Sequence, residues 1–173
     1  MTPPEFSRPE RLDAIGAGER EVRVAATDAE RTALAARFGV LSVERLEAVV
    51  AVRKEAAGIA VRGRVTGAVV QACSVTGVPL DATIDEPVAL LFVETLDEQE
   101  EIELDAGALD TVEIEGGAVD LGEAAAETMA LALDPFPRSP EAEAVLRAAG
   151  VVSEDEHRPL GALHGLKAML EKK

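Results

Sequence analysis

An α+β fold is predicted for this 173-residue chain: a single domain in which a curled antiparallel sheet, bent enough to approach a barrel, is covered by two or three helices. Three observations carry the prediction. Several segments alternate polar with apolar residues, the period of a strand with one buried face. Other segments place apolar residues three and four apart behind a capping residue, the period of a helix. The strand-like segments on either side of Thr76-Gly77-Val78-Pro79 are joined by a short turn, which pairs them antiparallel.

The elements follow in chain order. Residues 1–18 hold three prolines and two glycines and read as an extended lead-in to a domain spanning 19–150. Arg20 to Ala26 alternates and is the first strand. Thr27 stands three residues before Glu30, a capping box that opens a helix from Asp28 to Phe38, with Gly39 as its stop. Ser42 to Glu55 is the least decided segment: Val43, Leu46, Val49 and Val52 have a partly helical spacing, but the β-branched content favours a strand. Gly58 to Cys73 alternates Ile59, Val61, Val65 and Val69 with Arg62, Arg64, Thr66 and Gln71. Within it, Gly58, Gly63 and Gly67 mark bulges or close packing. Asp81 to Glu94 ends in the apolar run Val88–Val93, which suits a central strand covered on both faces.

Residues 96–103 form an acidic linker, read as a loop or disordered excursion. Thr111 to Glu115 alternates again, Gly116-Gly117 turns, and Asp120 caps a helix that runs to Asp134, where Pro135 ends it. Glu123 is placed to complete an acidic capping box. Glu141 to Ala149 is a short helix closed by Gly150, and residues 151–173 are a polar tail with a short helix over Leu160–Leu170.

Composition narrows the function. Apolar residues make up 47% but aromatics only 2%, with no Trp and no Tyr, so the core is aliphatic and the chain lacks the aromatic platforms on which single-stranded nucleic acids stack. One cysteine excludes an intramolecular disulfide framework and a cysteine-rich zinc site. No apolar run approaches the roughly twenty residues of a membrane span, and Met1–Phe6 has no signal-peptide core, so the cytosol is the expected location. The net charge of −16 is unevenly placed. Residues 1–72 sum to +1 and residues 138–173 to zero, whereas residues 73–137 hold 17 acids and no Lys or Arg. A one-sign field of this kind attracts a cationic partner, unless the acids pair with Arg53, Lys54, Arg62 and Arg64 on neighbouring strands or serve only solubility.

Residues able to do chemistry are few. Cys73 has no cation among the following 64 residues to lower its pKa, so it reads as a buried structural thiol. His157 and His164 are seven residues apart and lack further ligands. The acids at 97–105 and 110–115 do not follow a calcium-loop spacing and read as a solvated face. No phosphate-binding loop, nucleophile elbow or His–carboxylate pair is present. The expectation is a non-enzyme without cofactor or metal.

Two stretches taken together carry a family resemblance. One runs from Val65-Thr66-Gly67 through Cys73-Ser74-Val75-Thr76-Gly77-Val78-Pro79-Leu80 and the strand to Phe92; the other from Val119-Asp120-Leu121-Gly122-Glu123 to Leu133-Asp134-Pro135-Phe136-Pro137. An acidic spacer separates them, and Arg158-Pro159-Leu160 to Leu166-Lys167 closes the layout. Over about residues 20–170 this order resembles the YceD family, the large ribosomal RNA subunit accumulation proteins. The resemblance implies a non-enzymatic role in accumulating or processing large-subunit ribosomal RNA, linked to a large-subunit ribosomal protein or pre-ribosomal particle. It implies Gly67, Cys73, Thr76, Gly77, Asp120, Leu121, Pro135 and Pro137 as the family's motif positions. Two departures stand out. Many members carry C-x-x-C where this chain has Cys73 and Thr76, and some have cysteines after the helix, where this chain has Pro135-Phe136-Pro137-Arg138-Ser139. Metal binding therefore does not carry over.

Three functions follow in order of support: binding of a basic ribosomal protein by the acidic middle; direct contact with ribosomal RNA precursor through Arg20, Arg23, Arg31, Arg37, Arg62 and Arg64, with Arg62 and Arg64 the lead candidates; and, last, a metal-dependent nuclease, whose carboxylates would lack cations beside them.

Overall fold

In the computed structural model, described over residues 4–94, 110–114 and 116–151, seven strands and three helices follow one another. They are β1 (Pro9–Arg11), β2 (Arg20–Ala25), α1 (Asp28–Phe38), β3 (Ser42–Lys54), β4 (Ile59–Ala72), β5 (Pro79–Val93), β6 (Asp110–Glu113), β7 (Ala118–Asp120), α2 (Leu121–Ala132) and α3 (Ala142–Ala148). The acidic linker, the predicted helix over 160–170, both histidines and the family's closing Arg158-Pro159 segment lie outside the described residues.

The main sheet has the order β2-β3-β4-β5-β6. The ambiguous segment 42–55 is a strand. Val43, Leu46, Ala48, Val50 and Val52 are its buried side chains, and the helical-looking spacing comes from a register shift between Val43 and Arg45 that moves the inward set by one residue. The sheet is not a closed barrel. β2 pairs with β3 and β6 with β5, and the two edges do not meet. Its inner face is instead filled by α1 and α2, whose Leu34, Ala35, Leu121, Ala125 and Met129 join the same apolar cluster as Val61, Val65 and Val69 of β4. Nor is the sheet wholly antiparallel, because β6 runs parallel to β5. The run Val88–Val93 is fully buried on one face only: Val88 and Phe92 are buried, while on the other face Ala89 is exposed and Leu91 and Val93 are half-buried.

Helix ends follow their capping chemistry. At α1 both halves of the capping box form: Glu30 N–H donates to Thr27 Oγ1 at 3.4 Å and Thr27 N–H to Glu30 Oε2 at 2.7 Å. At α2 the Asp120 carboxylate takes the N–H groups of Gly122 (3.0 Å) and Glu123 (3.1 Å). Glu123 does not complete a box; its carboxylate accepts from Arg37 at 2.6 and 2.9 Å, because that guanidinium reaches it across the α1–α2 interface. The helix stops at Ala132, before Asp134, since the residue preceding Pro135 is pushed out of helical geometry.

The lead-in joins the core. β1 pairs antiparallel with β7, and Phe6 is fully buried. Among the described residues no helix is long and apolar enough to cross a membrane.

Candidate functional site

The motif positions gather at the two ends of α2, with Gly67 apart from both, buried in the middle of β4 opposite Leu46 and Ile84. At the N-terminal end the Asp120 carboxylate accepts four donors: Gly122 N–H, Glu123 N–H, Arg8 N–H at 2.7 Å and the Ser7 hydroxyl. Leu121 donates its N–H to the Arg8 carbonyl at 3.1 Å and buries its side chain. Gly122 lies so close to the lead-in that a Cβ there would stand 2.4 Å from the Phe6 carbonyl oxygen. Arg8 then clamps α1, with Nη1 and Nη2 donating to the two Glu30 oxygens at 2.7 and 2.9 Å. That pairing, with the Thr27 N–H, holds the Glu30 carboxyl down to about 2. V-D-L-G-E is therefore a junction that fastens the lead-in to both helices.

At the other end of α2 the β4–β5 turn grips the segment that follows the helix. The turn closes through Gly77 N–H to the Cys73 carbonyl (2.9 Å) and Cys73 N–H to the Val78 carbonyl (2.8 Å), and Gly77 supplies a φ of 73° that side-chain-bearing residues rarely adopt. Gln71 Nε2 donates to the Asp134 carbonyl at 2.9 Å, and the Ser74 N–H and hydroxyl both donate to the Pro137 carbonyl, at 2.8 and 3.0 Å. Pro135 and Pro137 keep that carbonyl-presenting segment from continuing the helix. Cys73 Sγ accepts the N–H groups of Ser139 (3.2 Å) and Thr76 (3.4 Å), and the Thr76 and Ser139 hydroxyls face each other at 3.4 Å. Hydroxyl and amide groups meet around one sulfur. Among the described residues no group of three or more His, Cys, Asp or Glu is placed to hold a metal ion.

The sulfur is buried, as the sequence predicts, but its acidity differs from that expectation. Burial pushes the Cys73 thiol up, yet the hydrogen bonds of Thr76, Ser139 and Val75 outweigh it and bring the pKa down from 9.0 to about 6. The Thr76 side chain, joined by backbone N–H groups, thus does what a neighbouring cation would have done. A pKa depressed in the folded state stabilises the fold fully above the unfolded value of 9.0, and the contribution fades as pH falls through about 6. Cys73→Ser should therefore lower the melting temperature more at pH 9 than at pH 5; an equal loss at both pH values would show that the sulfur stays protonated.

Two surfaces remain. On the solvent side of the sheet, opposite the helices, cross-strand neighbours set Arg23, Val49 and Arg64 in one row and Glu21, Ala51 and Arg62 in the next. Arg62 and Arg64 are thus brought beside Arg23. Arg20 instead pairs with Glu10, Arg31 with Asp28, and Arg37 with Glu5 and Glu123, so the six arginines do not form one patch. Each arginine from Arg8 to Arg64 has a carboxylate within 3.6 Å. Arg62 is bound by Glu55 at 2.9 Å and Arg64 by Asp85 at 2.6 Å.

The second surface is the acidic edge made by β5 and the start of β6, where Asp81 and Asp85 share the face of Arg64 and Glu86 lies on the α2 face. Asp81, Asp85 and Glu86 on β5 are exposed, as is Asp110 at the start of β6. Among the described acids between 73 and 137, only Asp85 and Glu123 are paired with a cation. On α2, burial and the charge of Glu123 push the Glu127 carboxyl up. The part played by Ser7 and Arg8 was not legible in the sequence, because no local pattern singles them out. Ser139 had one signal: it lies in the Pro135–Ser139 stretch to which the resemblance assigns cysteines in some family members.

The model of the family described as Large ribosomal RNA subunit accumulation protein YceD matches residues 61–167. The cluster around Cys73, residues 120–123 of the other cluster and the acidic surface fall within that span, whereas Phe6, Ser7, Arg8 and Glu30 precede it. Comparison with curated proteins and with solved structures gives no match.

Proposed function

We propose, from the premise that the chain belongs to the YceD family, that it is a non-enzymatic factor in large-subunit ribosome biogenesis. In this reading it supports accumulation of large-subunit ribosomal RNA by binding a basic large-subunit ribosomal protein, alone or within a pre-ribosomal particle. One observation carries the choice of partner: every arginine from Arg8 to Arg64 has a carboxylate beside it, while among the described acids between 73 and 137 only Asp85 and Glu123 have a cation. Exposed ion pairs add little to stability, about 0–1 kcal/mol each, but they cancel the field a polyanion would feel. The uncancelled acids steer a polycation instead. Pull-down with purified large-subunit ribosomal proteins should retain one of them, with affinity that falls as salt rises. Equal, weak retention of every polycation would overturn the reading.

A second reading has its own observation. Arg23, Arg62 and Arg64 share the solvent face of the sheet, and loosely held surface pairs can exchange a carboxylate for a phosphate. If ribosomal RNA precursor docks there, Arg62→Glu with Arg64→Glu abolishes RNA retention; unchanged retention removes this alternative.

A further inference from the structure

Resting on the reading of the acidic side as a protein-binding surface, we propose that the open edge of β5 from Asp81 to Ala89 receives an extended, Lys- or Arg-bearing segment of the partner as an added strand. β6 pairs with β5 only over Leu90–Val93, so among the described residues β5 from Pro79 to Ala89 has a strand on its β4 side alone. Parity decides which backbone groups face the empty side. The Val93 carbonyl accepts the Ile114 N–H at 2.7 Å, on the β6 side. The β4–β5 register runs without a shift from Ile59 opposite Phe92 to Ala72 opposite Pro79. Backbone groups alternate sides along a strand, so those of Asp81, Thr83, Asp85, Pro87 and Ala89 face the open side with Val93. Pro87, which has no N–H, is tolerated there because that direction has no ladder bond to lose. The Asp85 carbonyl, with Arg64 Nη1 3.4 Å away, fits the same orientation.

The surroundings select the occupant. Asp81, Asp85 and Glu86 are exposed along the edge, and Asp110 stands at its end. Across from Glu86–Leu90, the end of α2 contributes Thr128, Leu131 and Ala132 and leaves an open cleft of about 370 Å³. Leu131 there is 88% exposed, an apolar contact for alternate side chains of an incoming strand. A second copy pairing through this edge would set these acids against their own counterparts. Like charges on adjacent strands oppose pairing, and a cationic strand matches.

The test takes the full chain, the purified large-subunit ribosomal proteins and, as a probe, a synthetic peptide of alternating lysine and valine. Residue-resolved amide exchange should slow at Asp81, Thr83, Asp85 and Ala89 by about tenfold or more on binding, while Ala82, Ile84 and Val88, which face β4, change little. Thr83→Pro removes one outward N–H without touching the β4 ladder and should weaken binding about tenfold. Asp81→Lys, an exposed charge reversal, should weaken it similarly and serves if the proline variant unfolds. Binding with protection elsewhere, or binding indifferent to both variants, would overturn the edge and leave the protein-binding reading standing. Failure of every ribosomal protein and of the peptide to bind would overturn that reading itself. Protection of the same amides that grows with protein concentration alone would assign the edge to a second copy and overturn the proposal.

Discussion

Gly122→Ala is expected to lower the stability of the fold by about 3 kcal/mol, near the upper end of what overpacking costs. The alanine methyl would stand 2.4 Å from the Phe6 carbonyl oxygen and 3.0 Å from the Arg8 nitrogen, both backbone atoms that cannot rotate aside. Alanine favours a helix over glycine by about 1 kcal/mol, which opposes the loss but does not offset it. Relief requires the lead-in to move off α2, breaking the Leu121 N–H bond to the Arg8 carbonyl and drawing Phe6 out of the core. A thermal melt should show a fall of roughly 6–12 °C for a chain of this size. A melting temperature at or above the parent's would mean that the lead-in does not pack against α2 as described.

Asp120→Ala should cost about 3–4 kcal/mol. Loss of the N-cap accounts for about 1–2 kcal/mol. The rest comes from the Arg8 N–H and Ser7 hydroxyl, which lose the same acceptor at a partly buried site, at about 1 kcal/mol each. Asp120→Asn keeps an acceptor oxygen and should lose about half as much. Urea denaturation of both variants checks the order; equal losses for Ala and Asn would show that the charge, rather than the acceptor geometry, matters. Because Gly122→Ala displaces the same Arg8 backbone, the double variant should lose less than the sum of the two.

How far the fold was legible depends on whether the deciding pattern is local. β4 alternates so cleanly that its inward Val61, Val65 and Val69 can be read directly, and the α1 capping box needs only Thr27 and Glu30. The α2 cap was half legible: Asp120 acts as expected, but Glu123 is drawn to Arg37, a residue 86 positions away. Pairing direction is not written in a strand's own residues, so β6 gave no sign of running parallel to β5. Closure is equally non-local, and a curled sheet and an open one share the same alternation until helices are seen to fill the concave face. The site followed the same division. The resemblance pointed to Cys73, Thr76 and the segment after Pro135, yet nothing in their spacing showed that Ser139 N–H would reach the sulfur. Charge counting found the acidic third, whereas the neutralisation of the arginines required their neighbours across strands.

The bond from Ser7 to Asp120 joins residues 113 positions apart, and that separation imposes an order of assembly. Closing so long a loop through unstructured chain costs about 4 kcal/mol of entropy beyond a constant, so the contact is unfavourable until the intervening hairpins have shortened the path. The β3–β4–β5 meander, joined by tight turns, can form from neighbours alone. Phe6 and its strand then dock last, when α2 exists to receive them. During synthesis Phe6 and β1 thus leave the ribosome before the sheet and helices they pack against and are among the last to find their place, and until then the floor of the core beneath α2 stands open.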